Sequence, residues 1–255
     1  MEVDLIQFLI ICPLVGLAGF IDAIAGGGGL VSLPAYIIAG LPAHNAIATN
    51  KLSSTMGTAL TTARFAWLGY IPWRAALPCI PAALIGSALG ANLALVASDL
   101  FLKVAMIIVL PCIAAYLLFG KGFTEEREPL SAARTCAIGI AAAFVIGIYD
   151  GFYGPGTGTF LILALQALAH MPIKRANGTT KLINLSTNVS ALVVFLAGGY
   201  AYIALGIAAG VFNMIGNYIG SRCFDKAGAG IAKPIMIVVL AIFFVRVVLE
   251  LAGVL

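Results

Sequence analysis

Charged side chains are what this sequence most lacks. Lys, Arg, Asp and Glu make up 9% of its 255 residues, against about 25% in an ordinary soluble domain. Apolar types reach 62%, and mean hydropathy is +1.10. A soluble fold of this size must still present much of its surface to water, so this composition excludes a water-soluble globule. Histidine is nearly absent. His44 and His170 are the only two, and no acid–histidine motif accompanies either, so no nucleophile–base pair or metal cluster is visible and an enzyme is not expected. The five cysteines, Cys12, Cys79, Cys112, Cys136 and Cys223, stand singly in apolar surroundings with no C-x-x-C pair. They read as small buried hydrophobes, and no cofactor is implied. The net charge of +4 comes from basic residues scattered over short stretches, not from a patch, which argues against nucleic acid as a partner. No nucleotide-binding domain is present, so ATP-driven transport by this chain alone is not expected.

What is there in abundance is apolar sequence of spanning length. Leu5–Ala25 carries one acid, Asp22, and Ala75–Ala97 carries no charge. Phe101–Phe119 holds only Lys103, and Thr135–Tyr149 is uncharged. A membrane helix needs roughly 20 apolar residues at 1.5 Å each, and such runs recur from end to end. The chain reads as an all-α polytopic membrane protein. The first run follows the acidic stretch Met1–Glu2–Val3–Asp4, where a signal peptide would be basic, so it is taken as a first span.

The runs are duplicated. At an offset of 130 residues Lys51 falls on Lys181, Thr49 on Thr179, Pro42 on Pro172, Gly69–Tyr70 on Gly199–Tyr200, and Gly90 on Gly220. Nearer the start the offset is 128, placing Gly19 and Asp22 on Gly147 and Asp150. Apolar composition alone would not align isolated lysines and glycines in one register. The expected layout is a first transmembrane repeat over 1–120, a cytoplasmic linker at 121–134, and a second repeat over 135–255. Each repeat reads as about four full transmembrane helices plus a short one, with segments at 5–25, 30–40, 46–68, 75–97 and 100–120, then 135–153, 158–170, 176–198, 202–222 and 233–253. The second segment of each set is too short to cross. It must be a half-helix, a re-entrant piece or one arm of a broken pair, and irregular backbone at membrane depth requires protein or a wet cavity beside it.

Charge tests how the repeats are related. If all five segments of each repeat count as crossings, Arg74, Lys121, Arg127, Arg134, Lys174, Arg175, Arg222, Lys226 and Lys233 collect on one side, with little beyond Lys103 and Arg246 on the other. If the short segment re-enters, the split is nearly even. The strong bias favours the first count, which predicts inverted repeats with both termini outside the cytoplasm. Lys103 and Lys233 read as helix-end anchors. Arg64, near Trp67, Tyr70 and Trp73, reads as part of an interfacial belt.

The polar residues inside these runs are the candidate machinery. Asp22 leads into Gly26–Gly27–Gly28–Gly29, and Asp150 into Gly154–Pro155–Gly156–Thr157–Gly158. Glycine permits unusual backbone angles, and the helix starts that follow can receive an anion. No Gly-Lys-Ser/Thr follows, so a nucleotide phosphate loop is rejected. Close helix packing through small residues is the alternative. The second cluster is Asn50–Lys51–Leu52–Ser53–Ser54–Thr55 with Thr58, repeated as Thr180, Lys181, Asn184 and Asn188. Lys51, Thr55, Thr58 and Thr62 share one helical face, as do Lys181, Asn184 and Asn188. Hydroxyls and amides can replace an oxyanion's water, and a lysine supplies compact positive charge. Three roles are open to such a lysine: snorkelling, pairing with Asp22 or Asp150, or touching the anion. A carboxylate at low dielectric without a cation binds a proton more readily, which marks Asp22 and Asp150 for proton coupling. The substrate contacts expected are therefore Asn50, Lys51, Ser54, Thr55, Thr58, Gly27, Gly28, Gly29, Thr157, Gly158, Thr180, Lys181, Asn184 and Asn188. Asn213 and Asn217, which face Ala83 and Ser87 in the repeat alignment, are expected to line the path on one side only.

With Gly19–Phe20–Ile21–Asp22–Ala23–Ile24–Ala25–Gly26–Gly27–Gly28–Gly29, Pro34, Ala48–Thr49–Asn50–Lys51–Leu52 and their second-half copies, the chain resembles the TauE/SafE family of sulfite exporters, also described as the 4-toluene sulfonate uptake permease family. The resemblance covers nearly the whole chain. It implies a multi-pass protein of a bacterial or archaeal plasma membrane, the inner membrane in a Gram-negative cell, that moves sulfite, an organosulfonate or a related anion. The reading is a proton-linked secondary transporter working by alternating access, with a passive anion channel or uniporter of the same fold as the alternative. Its partners are the small anion, protons and the bilayer. A homodimer is not predicted from the sequence.

Overall fold

A computed structural model describes residues 4–98, 101–102, 104 and 128–227. These form helices α1 (Leu5–Ala25), α2 (Gly29–Ile38), α3 (Ala43–Trp67), α4 (Trp73–Ala76), α5 (Cys79–Val96), α6 (Ala132–Phe152), α7 (Thr157–Ala167), α8 (Ile173–Ala197) and α9 (Ile203–Ala227). Among the described residues there is no strand. Among the described residues five stretches are long and apolar enough to cross a membrane: Leu5–Ala25, Trp73–Val96, Ala132–Phe152, Ile173–Ala197 and Ile203–Lys226. The protein is an all-α polytopic membrane protein. Leu89, Leu93, Val145, Val193 and Ile215 are exposed, as lipid-facing residues should be. The segments expected at 100–120 and 233–253, with Lys103, Lys233 and most of the linker, lie outside the described residues. The span expected at 75–97 is two helices, because Pro78 and Pro81 remove backbone donors where α4 meets α5.

The short second segment is the returning arm of a hairpin. α1 stops at Gly26, whose φ of 72° is left-handed and whose N–H bonds the Asp22 carbonyl. α2 then folds back along α1, so that Gln7 near the start of α1 donates to the Ala39 carbonyl at 2.9 Å. The second half does the same. Gly154 (φ 101°) and Gly156 (φ 81°) turn the chain, and the Thr135 hydroxyl meets the Ala169 carbonyl at 3.5 Å.

The halves interlock. α1 packs on α9 and α6 on α5; α3 touches both α8 and α9, and α5 touches α8. Exchanging α1 with α6, α2 with α7, α3 with α8 and α5 with α9 maps these main contacts onto themselves. The counterparts α3 and α8 run antiparallel. Asn45, early in α3, donates to the Tyr200 carbonyl beyond the end of α8, and Thr62, late in α3, donates to the Lys181 carbonyl early in α8. At the end where α3 and α9 stop and α8 starts, Tyr70 donates to Asp225, with Lys174 3.6 Å from that carboxylate. At the opposite end His44 sits in the first turn of α3, 3.0 Å from the Ala94 carbonyl and against the Tyr200 ring.

Glycine lets α1 and α9 touch. A Cβ on Gly216 would fall 1.9 Å from the Gly16 carbonyl oxygen, whereas one on Gly16 would meet nothing closer than 3.5 Å. Gly216→Ala is therefore expected to push the helices apart and cost about 1–3 kcal/mol, while Gly16→Ala stays near wild type. The melting temperatures of the two variants in detergent measure the difference, and equal values would contradict this packing.

Candidate functional site

The two hairpins meet tip to tip. A Cβ on Gly26 would lie 2.2 Å from the Gly158 carbonyl carbon, and one on Gly29 would lie 3.0 Å from Pro155 Cα. The Thr159 hydroxyl donates across the junction to the Ala25 carbonyl at 2.8 Å. Because glycine removes side chains here, backbone can approach backbone, and the end of α1 lies beside the first turn of α7.

Around this junction the ionisable residues pair across the repeats. Lys51 Nζ on α3 donates to Asp150 Oδ2 on α6 at 2.8 Å and to Asn188 Oδ1 on α8 at 3.2 Å. Lys181 Nζ on α8 donates to Asp22 Oδ2 on α1 at 2.8 Å and also to the Asp22 main-chain carbonyl. Each lysine holds the acid of the other half. Lys51 is 2% exposed and Lys181 0%, so neither snorkels; of the roles left open by the sequence, the structure shows the ion pair.

A cleft of about 410 Å³, counting its open mouth, lies against these groups. Its wall includes Asp22, Asp150, Gly28, Gly29, Asn50, Lys51, Ser54, Thr58, Thr157, Gly158, Asn184 and Asn188. Gly27, Thr55, Thr180 and Lys181 are not on that wall. The Thr55 hydroxyl is turned back onto the Lys51 carbonyl at 2.7 Å, Lys181 stands behind Asp22, and the buried Thr180 hydroxyl has no hydrogen-bond partner among the described residues. The wall adds Gly26, Ser32, Gly154 and Asn213. Ser32 carries no sequence signal beyond lying one turn after Gly28, whose carbonyl its hydroxyl bonds at 3.2 Å. Asn213 reaches the wall because Gly19 and Gly57 leave it room: a Cβ on Gly57 would collide with its side-chain oxygen. Asn217 lies behind it, donating to Asn213 Oδ1 at 2.8 Å and accepting from the Thr61 hydroxyl at 2.6 Å.

Charge, amides and hydroxyls gathered at the junction of two broken helix pairs, inside a membrane-spanning body, are the build of a membrane transporter. The comparisons with known proteins agree. The chain belongs to the sulfite exporter TauE/SafE family, whose sequence profile it matches over residues 11–247. It is 34% identical to a probable membrane transporter protein, ORF9, of Sinorhizobium sp over 96% of this chain and 93% of that one. It is also 34% identical to the probable membrane transporter protein YfcA of Escherichia coli (strain K12), over 93% of this chain and 88% of that one. A probable membrane transporter protein of Bacillus subtilis (strain 168), YdhB, is 27% identical over 80% and 83%. No solved structure matches.

Proposed function

We propose that this chain is a proton-coupled secondary transporter that exports a small sulfur-containing anion, sulfite or an organosulfonate, by alternating access between two inverted repeats. The observation that carries the reading is the cleft wall, on which an ammonium already held by a carboxylate stands among amides and hydroxyls. A carboxylate that takes a proton no longer holds its lysine, and an oxyanion can take its place. Proton and anion then bind together without adding net charge to a low-dielectric site, where an unbalanced charge is costly. Asn50, Ser54, Thr58, Asn184 and Asn188 replace the anion's water. The sulfur chemistry rests on the family's description as sulfite exporters. The antiparallel α3–α8 contact and the two facing hairpins support a two-fold axis in the membrane plane. Arg74, Arg134, Lys174, Arg175, Arg222 and Lys226 stand at the ends of their helices, and this basic end belongs in the cytoplasm, with the N-terminus outside. The membrane is the plasma membrane of a bacterium or archaeon.

Purified protein in proteoliposomes tests this. Counterflow of labelled sulfite or an alkylsulfonate is expected, at least tenfold above empty vesicles and accelerated by a pH gradient. Absence of flux for every sulfur oxyanion would overturn the reading, and flux indifferent to pH would replace it with a uniporter or channel.

A further inference from the structure

The two lysine–aspartate pairs occupy equivalent places in the repeats, but their surroundings differ. Lys51 and Asp150 both form the cleft wall, as does Asn188, the second acceptor of Lys51. Everything that holds this ammonium is thus a side-chain oxygen beside the cleft, which a cargo oxygen can replace. Lys181 is held differently. It is fully buried, off the wall, and one of its two acceptors is the main-chain carbonyl of Asp22. That carbonyl also receives the Gly26 N–H at 2.9 Å in the helix end of α1. No proton can neutralise it, and through it Lys181 is tied to the backbone at the end of α1 as well as to a side chain.

The hairpin tips differ in the same sense. Gly154 lies over the first pair, so that a Cβ there would be 3.1 Å from Asp150 Oδ1 and 3.2 Å from Lys51 Nζ. Its counterpart Gly26 meets Gly158 and Thr159 of the opposite hairpin instead. In one pair both partners face the cleft under a bare glycine, while in the other only the Asp22 carboxylate does and its lysine is buried away from the wall.

We propose that the pairs divide the work: Lys51 is the cation that exchanges Asp150 for the cargo, and Lys181–Asp22 is a fixed strut pinning the first hairpin tip to α8. This rests on the transport reading above and narrows it. Among the described residues Lys51 is the one lysine or arginine on the wall, and the Asp22 carboxylate is already offset by Lys181. The site therefore balances a single negative charge. It takes a monoanionic head, a sulfonate or hydrogen sulfite, in preference to a dianion such as sulfate.

Two experiments test the division. In a full-length background with the five cysteines replaced by serine or alanine, Lys51→Cys/Asp150→Asn and Lys181→Cys/Asp22→Asn, in which neither acid is left unpaired, are treated with 2-sulfonatoethyl methanethiosulfonate, and labelling is followed by mass. Lys51→Cys is expected to react at least tenfold faster, whatever the natural cargo is; equal rates would overturn the proposal. In proteoliposomes the neutralised doubles are compared, since each removes a whole pair and leaves no unpaired charge. Lys51→Met/Asp150→Asn is expected to lose flux at least 100-fold, whereas Lys181→Met/Asp22→Asn loses less, and through a lower maximal rate, with the half-saturating cargo concentration staying near the wild-type value. In wild type, methanesulfonate competes with labelled cargo and sulfate does not. Equal losses in the two doubles, or equal competition by sulfate, would sink the assignment. Wild-type protein without flux but with unequal labelling would remove the transport reading while leaving the two lysines distinct.

Discussion

Lys181→Met is expected to leave little folded protein. The ammonium it removes is fully buried and holds Asp22 Oδ2 at 2.8 Å. Asp22 itself is only 8% exposed, so its carboxylate would be left without a counter-ion in a low-dielectric interior. Breaking a buried pair by deleting one partner costs about 3–5 kcal/mol, a large share of the roughly 5–15 kcal/mol that stabilises a typical domain. The same substitution also releases the Asp22 carbonyl, and with it the seating of the first hairpin against α8. The measurement is the yield of monodisperse protein in detergent and its melting temperature. Adding Asp22→Asn should recover most of both, because the unpaired charge is then gone and what remains is a lost hydrogen bond of about 1 kcal/mol. A single variant as stable as wild type would mean that the lysine and acid are not coupled as the structure shows them.

That pairing is the part of the site that the sequence could not supply. The offset of 130 residues aligns Lys51 with Lys181, and the offset of 128 aligns Asp22 with Asp150, which is enough to expect two equivalent sets. It does not say that each lysine reaches the acid of the other half. A lysine eight residues into a helix can equally extend its stem toward water. The crossing of α3 over α8 decides the matter, and that crossing is a tertiary fact. Helical periodicity misleads in a second way. It places Lys51, Thr55, Thr58 and Thr62 on one face, but the Thr55 and Thr62 hydroxyls turn back onto the carbonyls one turn earlier, at 2.7 Å each. This is the local bond that threonine makes readily within a helix, and it leaves Thr58 of the three on the wall. Asn213 shows the converse. Its position in α9 gave only a hint of a one-sided path, because the space it occupies is created by glycines of α1 and α3 far away in sequence.

The helices themselves were legible because their signals are local. Apolar length set α1, α6 and α8 within about three residues of their observed ends. The glycine runs marked where α1 and α6 had to stop, since a left-handed residue such as Gly26 ends a helix. The short second segments were legible only as too short to cross. Their return along the preceding helix depends on the Gln7–Ala39 and Thr135–Ala169 contacts, which no periodicity encodes.

Gly26→Ala is expected to damage both fold and flux severely. Two effects act at once and can be separated. The φ of 72° is one that an alanine adopts at a cost of about 1–2 kcal/mol. The added Cβ would also lie 2.2 Å from the Gly158 carbonyl carbon and 2.5 Å from its Cα, where backbone rather than a flexible side chain would have to yield. Gly40 supplies the control. Its φ of 87° is equally left-handed, but a Cβ there meets nothing within 4 Å. Gly40→Ala should therefore show the backbone cost alone, with flux near wild type. Gly26→Ala should add the collision, lower the melting temperature further, and reduce flux by about two orders of magnitude by forcing the hairpin tips apart and breaking the Thr159–Ala25 bond. If both variants lose the same stability and the same flux, the tips are not in contact in the working protein. If Gly26→Ala keeps its fold but loses flux, the contact between tips is what the transport cycle turns on, since that is where the two halves share their backbone around the cleft.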